Sequence, residues 1–192
     1  MASRTSPEPD ADTGISEVLR SGDRRRALEL LMDAHGEAVF AFALRLTRRR
    51  EMAEDILQTT FVQAFEALGG FRGGSSWKTW LLGIARHRAL DALKVTARRE
   101  RRFRLVPELP DREGAEPGAE ERLVGAAVAR QLHRCLGELA PRVRATVLLR
   151  YQQEISYPDL AAATGERPAA LQMRVARALP VLRRCLERGG GP

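Results

Sequence analysis

The chain of 192 residues has two cysteines, few aromatic side chains and no long hydrophobic run. Without about 18 consecutive apolar residues, it is not expected to insert a helix into a membrane. Cys135 and Cys185 are too few for a disulfide framework, which indicates a reducing, cytoplasmic environment. The acidic start, MASRTSPEPDADTG, is unlike a signal peptide. These features exclude membrane proteins and small secreted proteins that depend on disulfides.

The charge of the chain is positive and unevenly distributed. The formal net charge is +7 and the sequence pI is about 10.5, values typical of a protein with a polyanionic partner. Residues 86–104 contain eight lysines and arginines against two acids, whereas residues 107–121 contain six acids against one arginine. Residues 174–188 are basic again. Two basic segments separated by an acidic spacer predict two anion-binding modules.

Apolar residues recur at helical spacing along most of the chain, and alternation typical of a strand never lasts four residues. Proline, glycine and acidic residues dominate residues 1–23 and 100–120, which predicts a disordered acidic tail and a flexible acidic linker. The sequence therefore predicts an all-α protein of two small helical domains, residues 24–99 and 121–188. The second domain is expected to contain a helix-turn-helix.

Two predicted helices have clear apolar stripes. The first stripe is expected to be buried at Ala53, Ile56, Leu57, Thr60, Phe61, Ala64, Phe65 and Leu68. A helix of the second domain begins at Pro141 and is expected to bury Val143, Val147, Leu148 and Tyr151. These stripes define the predicted cores of the two domains.

Residues 71–93, FRGGSSWKTWLLGIARHRALDAL, combine a Gly-Gly loop, two tryptophans and several cations. Ser75 or Ser76 can cap the helix that follows the loop. Aromatic rings and positive charge beside a flexible loop suit a surface that binds an opened nucleic-acid strand. An ordinary amphipathic helix, with its tryptophans in the core and its arginines in solvent, explains the same residues. This segment alone leaves both interpretations open.

Residues 154–177, EISYPDLAAATGERPAALQMRVAR, have the pattern of a helix-turn-helix. Ser156 can cap a first helix and Gly165 can supply the turn. A plain helical hairpin has a similar pattern, but DNA binding is favoured because the second helix carries side chains that match base edges and phosphates. These side chains are Gln172, Arg174 and Arg177.

Chemistry beyond nucleic-acid binding is not indicated. His133 and Cys135 could begin a metal site, but the sequence offers no second pair of ligands at a matching spacing. We therefore predict no metal, no cofactor and no catalytic residue.

Three segments together resemble a known family. They are AEDILQTTFVQAFEAL (53–68), FRGGSSWKTWLLGIARHRALDAL (71–93) and LAPRVRATVLLRYQQEISYPDLAAATG (139–165). In this order they are similar to the extracytoplasmic-function (ECF) sigma factors of bacterial RNA polymerase, in their minimal two-domain form. The resemblance extends from about Arg24 to Arg188. It implies a non-enzymatic initiation factor that binds core polymerase, the −35 duplex and the melted −10 strand.

The resemblance also implies roles for individual residues. Docking on the clamp helices of the largest polymerase subunit would use Asp55, Gln58, Thr59 and Val62. The −10 element would be bound by Arg72, Gly73, Gly74, Ser75, Ser76, Trp77, Lys78, His87, Arg88 and Asp91. The −35 duplex would be read by Arg167, Gln172, Met173, Arg174 and Arg177. Further implied partners are the flap region of the polymerase and an anti-sigma factor.

Not every aromatic or apolar residue near the −10 segment is assigned to DNA. Trp80 and Ile84 are expected to belong to the core. Trp77 is the better candidate for stacking on a base, although burial is an almost equal alternative.

Several positions depart from the usual family pattern. Ala169-Ala170 and Gln172-Met173 stand where relatives usually have Gly-Thr and Lys-Ser pairs, and His87 stands where asparagine is common. The bases that are recognised are therefore expected to differ. Pro180 lies where the last helix should continue, which predicts a kink or a shortened helix.

Two other functions stay open at this point. One is a helix-turn-helix regulator that binds DNA without joining polymerase. The other is an adaptor that binds protein partners through its two helical domains and uses its charge only for solubility. A regulator of this kind would not bind core polymerase, whereas a sigma factor would. Salt-dependent affinity for DNA would argue against the adaptor.

Overall fold

The computed structural model describes residues 9–102 and 121–189, and these residues form helices and no strand. The helices are α1 (Pro9–Arg20), α2 (Arg24–Thr47), α3 (Arg50–Ala67), α4 (Trp77–Arg102), α5 (Glu121–Glu138), α6 (Pro141–Tyr151), α7 (Tyr157–Thr164) and α8 (Pro168–Gly189), with a 3-10 turn at Leu68–Gly70. The predicted all-α class is confirmed. Within the described ranges, no helix is long and apolar enough to cross a membrane.

Helix α1 occupies part of the predicted disordered tail, so the prediction is wrong for residues 9–20. The helix is held by Ile15, whose side chain is 1% exposed and belongs to the hydrophobic core. The apolar residues of this helix, Ile15, Val18 and Leu19, span little more than one turn, which is too short a pattern to outweigh the acidic, proline-rich composition around it. Residues 1–8 and the predicted linker from residue 103 to residue 120 lie outside the described residues.

Helices α2, α3 and α4 pack against one another, and their buried side chains belong to one core that also includes residues of α5 to α8. The predicted stripe of α3 is buried at Ala53, Ile56, Thr60, Phe61 and Ala64, and the turn after it buries Leu68. Phe65 differs from the prediction because it is 41% exposed. The Arg24 guanidinium lies 5.2 Å from the centre of the Phe65 ring and donates to the Phe65 carbonyl, so this ring packs under a cation.

The predicted helix-turn-helix is formed by α7 and α8. The backbone N–H of Asp159 donates to Ser156 Oγ at 3.2 Å, and the Ser156 hydroxyl donates to the Asp159 carboxylate at 2.6 Å. Gly165 ends α7 with φ of 68°, a left-handed conformation that favours glycine. Tyr151, at the end of α6, is 52% exposed instead of buried, and Arg150 lies 5.7 Å from its ring.

Helix α8 runs from Pro168 to Gly189 with Pro180 inside it, so the predicted shortening does not occur. Pro180 cannot donate to the carbonyl of Ala176. Both residues lie on the exposed face of the helix, where water can bond this carbonyl. The opposite face is anchored in the core by Leu171, Val175, Ala178, Leu182 and Cys185.

Cys135 of α5 and Cys185 of α8 form a disulfide, with Cα atoms 5.6 Å apart. This pairing differs from the reduced state indicated by two cysteines in a cytoplasmic protein, and it removes Cys135 as a metal ligand. The two residues are 50 positions apart and become neighbours only when α5 packs on α8. The sequence pattern therefore contains no local sign of the bond.

Reducing this disulfide should lower the free energy of unfolding by about 4 kcal/mol, because the bond restricts the unfolded chain over a loop of 50 residues. Urea unfolding followed by circular dichroism, with and without reductant, measures the difference. A Cys135→Ala/Cys185→Ala variant is the control, since its midpoint should not respond to reductant. Equal midpoints for the oxidised and reduced native chain would contradict the prediction.

Candidate polymerase and nucleic-acid interfaces

The residues predicted to dock on polymerase share one exposed face of α3. Gln58 and Thr59 lie three and four positions after Asp55, Val62 lies three positions after Thr59, and all four residues are exposed. Val62 is 56% exposed, and the Thr59 hydroxyl donates to the Asp55 carbonyl at 2.8 Å. A solvated carboxylate and amide around an exposed valine can bind a partner helix through both polar and apolar contacts.

The loop between α3 and α4 presents polar groups and open backbone. Arg72, Gly73, Gly74 and Ser76 are exposed, and Ser75 is half-buried. Ser76 caps α4, since its Oγ accepts from the backbone N–H of residue 79 at 3.1 Å. The cap fixes the start of α4 and so holds the exposed loop in place beside it.

Trp77 is buried and not open for stacking on a base. Its side chain is 2% exposed, and its ring is stacked on Phe71 with the two centres 3.7 Å apart. Its Nε1–H donates to Ser16 Oγ in α1 at 3.1 Å. The predicted stacking role is therefore wrong for Trp77, because Phe71 and α1 cover the ring. Trp80 and Ile84 pack against the core as predicted.

Lys78 is half-buried between the two domains. Its ammonium group donates to the Gln153 carbonyl oxygen at 3.3 Å. Burial lowers the pKa of Lys78, and the nearby charge of Glu154 opposes this effect. In this arrangement Lys78 contacts the second domain, so it can reach a phosphate only after exchanging that bond.

The predicted −10 residues further along α4 lie on its outer side. His87 is 66% exposed, and its Nε2 lies 3.3 Å from the Asp91 carboxylate. Arg88 is half-buried and donates to Gln63 of α3 at 2.7 Å. The structure thus places the exposed His87 beside the half-buried Asp91, which also binds Lys94, and holds Arg88 against the neighbouring helix.

The predicted −35 residues lie at the start of α8. Arg167, Gln172, Met173 and Arg177 are exposed, and Met173 is 53% exposed. Arg174 differs because its guanidinium donates to the Thr146 hydroxyl at 3.0 Å and to the Glu166 carboxylate. Four of the five residues are therefore open to solvent.

Glu166 collects three arginines at the contact between the domains. Its carboxylate lies 2.5 Å from Arg86 of α4 and 2.9 Å from Arg142 of α6, and it also binds Arg174 of α8. The Glu166 side chain is 12% exposed. Burial by itself raises the pKa of Glu166, but hydrogen bonds from Arg174 and Arg142 and the charge of Arg86 outweigh it and lower the pKa to about 2.

A glycine allows the two domains to approach each other. A Cβ atom at Gly83 of α4 would lie 2.9 Å from the carbonyl oxygen of Ala163 in α7. Only glycine lets the two backbones come this close. The two predicted domains therefore share a packed contact surface. The sequence gives no sign of it, because Glu166 lies in a polar turn and Gly83 lies inside a helix.

Comparison with known proteins identifies both halves of this arrangement. Residues 31–99 match sigma-70 region 2, and residues 129–179 match sigma-70 region 4. The chain is 31% identical over 184 residues to the ECF RNA polymerase sigma factor SigC of Mycobacterium tuberculosis, covering 93% of this chain and 92% of that protein. The chain belongs to the ECF sigma factor family. It is an RNA polymerase sigma factor, and its activity is transcription initiation.

Other members support the same family. This sigma factor is 30% identical over 164 residues to the sigma factor CarQ of Myxococcus xanthus, covering 83% of this chain and 89% of that protein. Its structure is similar to that of the sigma factor RpoE from Bartonella quintana in complex with the anti-sigma factor NepR, with a TM-score of 0.66 and 25% identity. That match covers 86% of this chain and 97% of RpoE. The region 2 match begins after α1.

Proposed function

We propose that this sigma factor contacts core RNA polymerase through the exposed face of α3, holds the opened −10 strand at the loop before α4, and reads the −35 duplex with the start of α8. The observation that supports this proposal is the distribution of exposed residues: the docking residues of α3, most of the loop before α4, and four of the five −35 residues are open to solvent. The protein catalyses no reaction of its own and acts in the cytoplasm, where the polymerase works.

The −10 surface combines positive charge with an accessible backbone. Arg72 is exposed on the loop, and Gly73 and Gly74 allow a nucleotide to approach the main chain closely. His87 and Asp91 lie further along α4 and face the adjoining duplex edge. Unstacking a base costs a few kcal/mol, which contacts to the extruded base must offset.

The −35 surface has a mixed chemistry. Gln172 can form paired hydrogen bonds with adenine, and Met173 offers apolar contact to a thymine methyl group. Arg167 and Arg177 can bind phosphates on either side. Because Gln172 and Met173 replace a usual Lys-Ser pair, the preferred −35 sequence is proposed to differ from that of typical relatives.

The packed arrangement of the domains has a consequence for DNA binding. Lys78 and Arg174 both face DNA in the proposed complex, yet each is bonded within the contact between the domains. Promoter binding must therefore exchange these bonds for contacts to phosphate or base. Since RpoE is seen with an anti-sigma factor, we propose that an anti-sigma partner also binds this chain.

In vitro transcription with core polymerase and a library of upstream sequences tests the proposal. We expect initiation to become promoter-specific when the full chain is added, with enrichment at both the −35 and the −10 positions. A helix-turn-helix regulator that never joins polymerase would bind DNA without producing transcripts from core enzyme. A protein adaptor would show neither transcripts nor salt-dependent DNA affinity.

Asp55→Arg should weaken binding to core polymerase at least tenfold, because it places a cation on the proposed docking face of α3. Competition binding to core polymerase with labelled wild-type chain measures the loss. The matched control is Glu37→Arg, which makes the same charge change at an exposed position of α2. If both variants bind core polymerase equally well, the docking face lies elsewhere.

A further inference from the structure

A second contact between the domains is made by the end of α2. Nε–H of Arg48 donates to Nε2 of His133 in α5 at 3.3 Å, and Nη1 of Arg144 in α6 donates to the Leu46 carbonyl oxygen at 2.8 Å. Gly137 lies one turn after His133 and leaves room for the Arg48 guanidinium, which a Cβ atom at this position would meet. Two arginines and one histidine therefore join the first domain to the second here.

The backbone is in an unfavourable conformation at two points of the contact between the domains. Among the described residues, the non-glycine residues with a left-handed backbone are Arg48, with φ of 63°, and Glu154, with φ of 60°. Arg48 contacts His133, and Glu154 follows Gln153, whose carbonyl oxygen accepts from Lys78. Such a conformation persists only where the surrounding contacts fix it. Loss of the contact would therefore remove part of what fixes these two residues.

The half-buried His133 lies among positive charges. Its charged neighbours are, from α2, Arg45 and Arg48, from α6, Arg144, and, within five positions along α5, Arg130, Arg134 and Glu138. Glu138, the one carboxylate among them, lies 3.3 Å from Arg188 of α8. Burial lowers the pKa of His133, and the charges of Arg48, Arg144 and Arg45 lower it further. The surroundings of His133 therefore favour its neutral form.

The hydrogen bond from Arg48 requires a neutral His133. An imidazole nitrogen accepts a hydrogen bond only while it carries no proton, so Nδ1 must carry the single ring proton in this contact. Protonation of Nε2 would remove the acceptor and add a cation beside Arg48 and Arg144. Both consequences weaken the contact between α2 and α5. When the domains separate, His133 loses these neighbours and binds a proton more readily, so opening and proton uptake favour each other.

We propose that protonation of His133 weakens the contact between the domains, so that mild acidification increases the fraction of molecules in which the two domains are apart. Opening is a property of the chain alone, whereas its effect on promoter binding, through release of Lys78, rests on the proposed function. The Glu166 cluster keeps its charge in mild acid, because the pKa of Glu166 is about 2. Open molecules therefore become more frequent but remain a minority.

The sign of the effect follows from proton linkage. The pKa of His133 is lower in the closed chain than its ordinary value of 6.5, which it regains when the domains separate. The closed form is therefore favoured fully above pH 6.5 and loses this advantage as the pH falls to the pKa of His133 in the closed chain.

A cysteine placed in the contact reports opening even when open molecules are rare, because a buried thiol reacts only after the domains separate. Gln153→Cys places it there: Gln153 is 7% exposed, its side chain reaches the Ala38 carbonyl oxygen, and cysteine is smaller than glutamine. The native cysteines are bonded to each other and do not react. Ala176→Cys, at an exposed position of α8, gives the rate of an accessible thiol. The ratio of the two maleimide rates, measured at each pH, gives the open fraction.

From pH 7.5 to pH 5.5, we expect this ratio to rise about fivefold, with a ceiling of about tenfold, because a histidine of ordinary pKa is protonated about ten to one at pH 5.5. His133→Gln should limit the rise to less than about twofold, since glutamine does not titrate and still offers Arg48 an oxygen acceptor. His87→Gln is the matched control: it removes an exposed histidine of α4 and should keep the fivefold rise.

A ratio that does not change with pH would overturn the proposal, as would a rise that persists in His133→Gln. A ratio near one at pH 7.5 would overturn it too, because the domains would already be apart. Circular dichroism at pH 5.5 confirms that the helices are retained. If His133→Gln does not fold, NMR of the His133 ring in the wild-type chain decides: its protonation must follow the same pH dependence as the labelling ratio.

The labelling experiment uses neither polymerase nor DNA, so it separates this inference from the proposed function. A chain that opens on acidification but gives no promoter-specific transcripts with core polymerase would keep the role of His133 and overturn the proposed function. A chain that gives such transcripts but shows no change in labelling with pH would do the opposite.

Discussion

Replacing Arg144 with alanine should lower the free energy of unfolding by roughly 4 kcal/mol. Arg144 is 8% exposed, and its guanidinium donates to four carbonyl oxygens at 2.7–3.1 Å. These belong to Leu136, Gly137 and Leu139 near the end of α5, and to Leu46 near the end of α2. A carbonyl left buried without a donor costs about 1–3 kcal/mol, and water entering the new space relieves part of the total. Urea unfolding without reductant measures the loss.

Two further variants separate the geometry of Arg144 from its charge. Arg144→Lys keeps the charge but not the five donors of a planar guanidinium, so it should recover less than half of the loss. Arg130→Ala removes an exposed arginine of α5 and should change stability by less than about 0.5 kcal/mol. If Arg144→Ala and Arg130→Ala unfold at the same urea concentration, the four hydrogen bonds do not stabilise the fold.

The sequence correctly predicts those parts of the structure that depend on residues close together in the chain. The apolar stripe of α3, the cap at Ser156 and the turn at Gly165 are all local patterns, and each forms as predicted. The same is true of Ser76, which caps α4. The all-α class and the helix-turn-helix follow from such patterns, because helical periodicity and capping involve residues only three or four positions apart.

The failures depend on contacts between distant parts of the chain. Phe65 has the right spacing for burial, but Arg24, 41 positions earlier, covers its ring in a partly exposed site. Trp77 is removed from the DNA-facing surface by Phe71 and by a hydrogen bond to Ser16. Helix α1 itself depends on fitting Ile15 into a core made by other helices. Apolar periodicity cannot report these contacts.

In the candidate site, too, the features set by local sequence patterns are predicted and those set by distant contacts are not. The exposed face of α3 and the start of α8 follow from helical spacing, so most of their residues lie where the sequence predicts. Arg174 shares that spacing but turns towards Glu166 in the contact between the domains. Glu166 itself has no sequence signal, because an acidic residue in a polar turn is usually solvated. The charges that hold the domains together are thus found only from the structure.

Replacing Glu166 with glutamine should separate the two domains. The change removes the one carboxylate that Arg86, Arg142 and Arg174 share. Leaving buried charges without a partner costs roughly 3–5 kcal/mol. Since the cluster joins helices of both domains, we expect an increased radius of gyration in small-angle X-ray scattering while helical content is retained. Gly83→Ala should produce the same expansion by a steric route, because its Cβ would meet Ala163.

The exposed ion pair of Glu187 and Arg183 supplies the control for Glu166→Gln. Its side chains are 60% and 82% exposed, so Glu187→Gln should leave the radius of gyration unchanged. An expansion equal to that of Glu166→Gln would show that loss of any carboxylate loosens the protein. A compact Glu166→Gln protein would show that the arginine cluster does not hold the domains together.

The pH dependence of this effect follows from the depressed pKa of Glu166, which is about 2 in the folded chain against 4.5 ordinarily. A carboxyl group whose pKa is lower in the folded chain than in the unfolded chain stabilises the fold fully at a pH above its pKa in the unfolded chain. This contribution is lost as the pH falls to its pKa in the folded chain. The difference in radius between wild type and Glu166→Gln should therefore be constant from neutral pH to about pH 4.5 and largely vanish near pH 2. Other carboxylates titrate in both proteins and cancel in this difference. A difference that persists unchanged at pH 2 would mean that the charge of Glu166 is not what closes the contact.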